Sequence, residues 1–259
     1  MGIPLYRRIA DQLRRDIAAG VYQPGDALPQ QAELATKFNT TRGVVQVAIT
    51  TLAQEGLITS ARHRGAVVQH PPMPLRLTRY AESLNTSGRS GPWEIATAGS
   101  DPPGHMVVLS VTTQPATMEV AQALNLPPYT HVVHRHRHAM IGDAVIQIQH
   151  SWIPASIAGG TRFTEPEVIQ GGTYALLLTL GHRPTHVTET ITGRASTRDE
   201  VTVFRRGRHS PVLIITRVTY DHTGAPLEYL HITAVADRTV LEYAELPVHP
   251  DRTTDGAVQ

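Results

Sequence analysis

Apolar positions near the N-terminus recur at helical spacing. Leu5, Ile9, Leu13 and Ile17 repeat every four residues, leaving Arg7, Arg8, Asp11, Arg14 and Arg15 off the stripe. This predicts a helix over residues 4–19, opened by Pro4 and closed by Gly20. After a turn at Gln23-Pro24-Gly25-Asp26, a second helix is predicted over 30–38, burying Leu34 and Phe38. A third runs over 42–55, with Val45, Ala48, Ile49 and Leu52 inward and Gly56 at its end; Thr40 or Thr41 is placed to cap it through a hydroxyl. The period then drops to two. Leu57-Ile58 opens a strand, Arg62-His63-Arg64-Gly65 makes a tip, and Ala66-Val67-Val68 returns.

Short helix, tight turn, longer helix and two-stranded wing over 28–68 predict a winged helix-turn-helix, a device that sets one helix in the DNA major groove. Three prolines in His70-Pro71-Pro72-Met73-Pro74 then remove backbone donors and fix φ, so 71–78 reads as an extended linker. Residues 79–104 give no periodic signal beyond 79–84. From 106 the pattern becomes α+β: strands over 106–112, 132–140, 144–153, 185–195, 212–220 and 226–235, and helices over 117–124, 173–180 and 198–204. Met118, Ala121 and Leu124 are the expected apolar side of the first of these helices. The hairpins turning at Gly142 and Gly224 each carry an Arg ahead of the turn and an apolar strand behind it, a weak internal repeat.

A length of 259 residues suits two domains: a head over 1–70 and a body over 79–248, followed by a flexible tail over 249–259. The charge is divided between them. Residues 1–70 hold eight Arg/Lys against five Asp/Glu, and the remainder fifteen against seventeen. A basic head on a mildly acidic body fits nucleic-acid binding by the head. The absence of cysteine excludes disulfides and thiolate metal sites, and no apolar run approaches the roughly 20 residues of a membrane span. These features, with no signal-peptide core at the N-terminus, lead to an expected cytoplasmic location without membrane contact. No nucleophile elbow, metal triad or paired carboxylates stand out, so an enzyme is not expected, and no cofactor is.

The run PLYRRIADQLRRDIAAGVYQPGDALP, followed by AELA, TTR, AxxxLAQEGLI and RGAVV, resembles the winged-helix domain of the GntR family of bacterial transcriptional regulators over about residues 4–70. The resemblance places Arg42 as a base-reading arginine and Arg64-Gly65 at the wing tip. Gln31, Thr40, Thr41, Gln46, Arg62 and His63 complete the expected DNA-binding set. Departures from the family are specific. Gln30-Gln31-Ala32 stands where relatives carry Ser-Glu-Arg, and Gln46-Val47 replaces a basic pair. Each bidentate Arg–guanine contact supplies about 1–3 kcal/mol of discrimination, so the readout changes. Three outcomes stay open: Gln46 and Gln31 reading adenine, a head with weakened binding, and recognition through the wing and DNA shape. Gly43 weakens the third helix by about 1 kcal/mol relative to Ala.

In the second half, RHRHAMIGDAVIQIQHSWIP, GGTYALLLTLG, TETITGRAS and SPVLIITRVTYDHTGAPLEYLHITAVADR resemble, in that order, the UTRA effector domain of the HutC-like branch of the same family. The resemblance implies an antiparallel sheet with helices like that of chorismate lyase, a small-molecule pocket, homodimers, and a metabolite that releases or retains double-stranded DNA with an inverted-repeat operator. As effector, the resemblance admits sugar phosphates, urocanate-like acids, fatty acids and antibiotics alike. Matched positions make Arg135 and Arg137, which alternation puts on one strand face, a clamp for a phosphate or carboxylate. Tyr174, Glu228, Gln149 (where relatives have Glu) and Glu189 complete the expected effector set, and Gly172 stands at a Ser position. Glu189 and Arg194 fall on opposite strand faces, so one of the two is expected to face the pocket. His134, His136 and His138 share the face opposite the arginines, near His131; without an acidic partner in the run, no metal site is expected. The resulting reading is a ligand-responsive regulator, most simply a repressor. The alternative is a ligand-binding co-regulator whose head has little sequence-specific DNA binding.

Overall fold

The computed structural model describes residues 3–61, 65–68, 75–78, 90–207 and 209–243. The head consists of α1 (Leu5–Ala18), α2 (Gln31–Lys37), α3 (Arg42–Gln54), β1 (Ile58–Ala61) and β2 (Gly65–Val68). Most of its core is the predicted one: Ile9, Leu13, Leu34, Val45, Ala48, Leu52, Ile58 and Val68 are buried together, whereas Phe38, expected inside, is only partly buried against them. Leu5 is 41% exposed, so the working stripe of α1 is Ile9, Ala10 and Leu13, with Ile17 at its margin. β1 and β2 pair antiparallel, Ile58 opposite Val68. Thr41 occupies the α3 N-cap, yet its hydroxyl makes no cap bond, which corrects the expected capping role. α2 starts differently from the Ser-capped pattern: the Glu33 carboxylate accepts from the Gln30 backbone N–H at 3.1 Å, as in the reciprocal half of a capping box.

Next comes β3 (Leu75–Thr78), inside the stretch expected to be plain linker; it pairs in parallel with β10 (Thr239–Glu242) near the end of the described chain. The first described element of the silent stretch 79–104 is α4 (Pro92–Ala96), a short helix with proline at its start. The body follows as β4 (Gly104–Pro115), α5 (Met118–Ala123), β5 (His131–Ile141), β6 (Ala144–Pro154), α6 (Ala155–Ala158), α7 (Gly172–Thr179), β7 (Pro184–Ala195), α8 (Arg198–Phe204), β8 (Pro211–Asp221) and β9 (Pro226–Val235). Six strands form one antiparallel sheet in the order β4-β5-β6-β9-β8-β7. In α5 the buried positions are Val120 and Ala121, backed by Leu124, whereas Met118 is 59% exposed. Val120 therefore takes the place expected for Met118.

The weak repeat seen in the hairpins extends to the whole domain. β7, from Pro184, repeats β4, from Gly104, and β8, from Pro211, repeats β5, from His131, at one constant offset along the chain. Thr117 and Thr197 cap the two intervening helices, each accepting a backbone N–H from the third residue beyond it. The turns after those helices match in backbone as well: Asn125 and Arg205 both have φ 51, and Tyr129 and His209 have φ 63 and φ 64. The two halves meet where β6 pairs with β9, with His150 directly opposite His231. α5 and α8 pack on one face of the sheet, against Trp152, Tyr229 and Val218 and against Ile148, Val212 and Val235 respectively. The opposite face is left for α4, α7 and the segment between α6 and α7.

Candidate functional site

On the head, Arg42 is the first residue of α3 and is exposed, as are Thr41 and, one turn further, Gln46. Gln31 opens α2 and donates from its side-chain amide to that of Gln46, whose own N–H group reaches Thr50 Oγ1 at 3.3 Å. The two glutamines replacing the family's charged positions thus act as one unit. Thr40 is half-buried in the turn before α3. Gly65 opens β2 with φ 74, a conformation that favours glycine at the wing turn. Arg62, His63 and Arg64 lie outside the described residues. Arg14 is tied down: it holds Glu55 at 2.8 Å and Asp11 at 2.5 Å, joining α1 to the end of α3.

On the body, the face opposite α5 and α8 forms the floor of a cavity of about 430 Å³. Arg135 and Arg137 of β5, Gln149 of β6, Glu228 of β9 and Tyr174 of α7 all line it, as does Arg217 of β8. Trp93 and Glu94 of α4 close one side.

The two β5 arginines share a face but not a role. Arg135 is fully buried and donates to the backbone carbonyls of Phe163 at 2.6 Å, Glu165 at 2.8 Å and Glu167 at 2.5 Å. Its guanidinium ties the 163–167 segment to the sheet. Burial, with the neighbouring Arg137 charge, pulls its pKa down to about 10. This modifies the expected paired clamp, because neutral carbonyls already occupy both of its terminal nitrogens. Arg137, one strand period on, has no such partners: its guanidinium makes no hydrogen bond among the described residues, and its Nε, like that of Arg135, is buried. Burial lowers its pKa, while Glu228, Glu94 and Tyr174 pull the other way.

Arg217 occupies the place in β8 that Arg137 has in β5, and its Nε and Nη2 hold Glu189 Oε2 at 2.8 and 2.5 Å. Burial lowers its pKa, but Tyr174 and Glu189 outweigh that and hold it above the usual arginine value. Glu189 itself is not in the cavity wall. It sits on the outermost strand, one strand beyond the lining, and reaches the cavity through Arg217. Arg194 is on the opposite face and pairs with Glu200 at 2.6 Å, so of the two only Glu189 serves this side. Glu228 accepts from Ser151 Oγ at 2.5 Å, and the Tyr174 hydroxyl meets Thr219 Oγ1 at 3.1 Å. Gln149 donates to Gln147 at 2.9 Å. Burial raises the Tyr174 pKa, keeping the phenol protonated.

Gly172 explains its own departure from the family's serine. Its φ is +80, and an added Cβ would stand 2.9 Å from Pro92 Cδ. α4 packs on that bare backbone. Trp93 is fixed there by an Nε1–H bond to the Met140 carbonyl at 3.1 Å.

The expected histidines occupy the far face. His134, His136 and His150 stack with one another and with Trp152, His134 Nε2 lying 3.0 Å from His150 Nδ1. His131 is exposed at the strand end. Among the described residues no group of three or more His, Asp or Glu is arranged to hold a metal. Burial and the charges of its histidine neighbours hold His150 down at about 4.

Known families match both parts of the chain in this order: the gntR family of bacterial regulatory proteins over residues 5–68, and the UTRA domain over residues 104–240. The chain belongs to the GntR family. The HTH-type transcriptional repressor NagR of Bacillus subtilis is 28% identical over 94% of this chain and 96% of its own length. An HTH-type regulator of Rhizobium meliloti, RB1450, is 27% identical over 93% and 95%. Among solved structures, a GntR-family regulator is 26% identical with a TM-score of 0.59, covering 95% of this chain and 98% of that one. PhnF of Mycobacterium smegmatis, at 20% identity and TM-score 0.58 over 94% and 100%, shares the fold. This GntR-family protein is therefore a DNA-binding transcriptional regulator with a small-molecule effector domain, and its relatives are regulators, not enzymes.

Three cavity-lining groups of this regulator stand outside the expected effector set, Arg217, Trp93 and Glu94, and Ser151 joins them behind the wall through its bond to Glu228. Arg217 is signalled by the hairpin repeat, since it matches Arg137. Ser151 follows Gln149 at strand spacing on the same face, and period-two alternation points to it. α4 has no such signal, because so short a helix shows no period.

Proposed function

We propose that this regulator acts as a homodimeric repressor whose paired heads read an inverted-repeat operator and whose cavity takes a small anionic effector, all within the cytoplasm. Arg137 carries the effector reading. A guanidinium that lines the cavity beside hydroxyl- and carboxylate-bearing groups, with no hydrogen bond among the described residues while the Arg135 guanidinium is taken up by carbonyls, calls for a phosphate or carboxylate. Glu228 and Tyr174 are suited to hydroxyls on the same ligand. Arg42, Gln46 and the wing supply the DNA contacts. An effector alters DNA binding only if it favours one arrangement of the heads over another.

The test is a mobility-shift titration on the protein's own promoter region at low salt, with thermal-shift screening against phosphorylated sugars and small carboxylic acids. A specific shift, weakened more for specific than for nonspecific DNA by Arg42→Ala, is the expected result. A compound that stabilises wild type but not Arg137→Gln identifies the effector class; at 100 times its Kd it adds about 2.7 kcal/mol. Absence of any specific shift for wild type overturns the operator reading. The Gln31–Gln46 bond favours a second reading, a head with little base discrimination. Failure to enrich any sequence from random oligonucleotides supports that one.

A further inference from the structure

The turn after α8 differs from its counterpart in a way the fold does not require. In the first half the turn reads Asn125-Leu126-Pro127-Pro128-Tyr129; in the second it reads Arg205-Arg206-Gly207-Arg208-His209. Their first and fifth residues have matching left-handed backbones, at φ 51 and at φ 63 and 64. Asparagine is the ordinary choice for such a position, and a long side chain is strained there. The geometry therefore does not ask for arginine at 205. Something other than the turn does.

Its surroundings point to the partner. Arg205, Arg206 and Gly207 form one wall of a cleft whose other walls are Gln31, Gln46 and Thr50 on the DNA-facing side of the head and Gly65 on the wing. Arg206 is occupied: it reaches Asp237 at 3.3 Å, and its Nη1 lies 2.5 Å from where a Cβ on Gly56 would stand, at the end of α3. Arg206 thus lies against the turn that ends α3. The Arg205 side chain is exposed and has no hydrogen bond or ion pair among the described residues, and the head's wall of the cleft has no carboxylate. A cation facing neutral amides and hydroxyls, beside the recognition helix and the wing, suits an anion that enters with the DNA.

We propose that Arg205, on the effector domain, contacts the phosphate backbone of the operator and extends the DNA interface beyond the winged helix. This rests on the DNA-facing assignment of Gln31, Gln46 and Gly65 above. The contact is to backbone, so it adds affinity and salt dependence without sequence information. It also gives the effector domain a direct hold on DNA.

The experiment compares wild type, Arg205→Asn and Arg183→Asn by fluorescence anisotropy over a salt series, on the promoter fragment and on an unrelated duplex. Arg183→Asn removes the same charge just before β7, at the end of that strand away from α8, and Arg205→Asn installs the residue that the first half uses. Unchanged or raised melting temperatures show that both variants fold. For Arg205→Asn the slope of log K against log salt should become shallower by about 0.9 for each phosphate no longer neutralised, with the same fold-loss on both duplexes, whereas Arg183→Asn keeps the wild-type slope. Wild-type slope in Arg205→Asn, or tighter binding, overturns the inference while leaving the function standing. Equal losses in both variants also overturn it, as an effect of net charge. No DNA binding by wild type overturns both.

Discussion

Arg137 and Arg217 hold equivalent positions in β5 and β8, and Arg217 has a carboxylate partner while the Nε of Arg137 is left bare. The repeat built two cationic posts and neutralised one of them with Glu189. The other remains available to a ligand.

Glu189→Gln should expose that difference. Removing the carboxylate leaves Arg217 a second uncompensated buried cation, so effector-domain stability should fall while binding of an anionic probe such as inorganic phosphate rises. Differential scanning fluorimetry with a phosphate titration checks it. A variant with unchanged phosphate binding contradicts the neutralising role.

Arg135→Ala tests the other half of the expected clamp. Three carbonyls lose a charged donor, so the loss is one of stability: about 3 kcal/mol or more, or roughly 6–12 °C in Tm for a domain of this size. Arg137→Ala should leave Tm within a few degrees and abolish effector response. Identical behaviour of the two variants speaks against the division of roles.

Gly104→Ala probes how α4 closes the cavity. A Cβ there would collide with Thr97 Oγ1 and stand 2.6 Å from Trp93 Nε1, groups that anchor α4 to β4 and β5. The helix must shift, and tryptophan fluorescence and effector affinity should change together. Effector affinity equal to wild type places α4 outside the binding function.

The stacked histidines set a pH dependence. His150 faces His134, His136, Trp152 and, across the β6–β9 joint, His231, with Glu119 held nearby on α5 by the Tyr229 hydroxyl at 2.6 Å. Its pKa falls from 6.5 to about 4 in the fold. A lowered histidine pKa means the folded state favours the neutral ring, so its stability is fully present above pH 6.5 and declines as pH drops toward 4. His150→Gln should flatten the Tm profile across that window. A profile as steep as wild type assigns the loss to other groups.

Gly43→Ala should stabilise the head by about 1 kcal/mol, because the added Cβ meets nothing nearer than Thr41 Oγ1 at 3.9 Å. Chemical denaturation of the full chain, monitoring the head transition, measures it.

Legibility in the sequence followed the length and period of each element. α1, α3 and the strands β5 to β9 announce themselves because their burial keeps the helical or the strand period over many positions. The head core is readable from Leu13, Leu34, Val45 and Leu52 for that reason. Arg135 shows the limit. Alternation puts it beside Arg137, but nothing in the residue order says that carbonyls from 28 to 32 positions away occupy its guanidinium. β3 and β10 are short and pair across the length of the body, so neither has a local signature. Glu189 is expected on the correct face but one strand too close, since periodicity gives a side chain's face and not its distance from the centre of a sheet.

The two halves of the sheet touch through a single seam, β6 against β9. Arg137 belongs to one half and Arg217 with Glu228 to the other, and all three border the same cavity. A ligand lodged there is a rivet through the seam. Such a ligand would link the half that carries Arg137 to the half that carries the Arg205 turn, which borders the recognition helix.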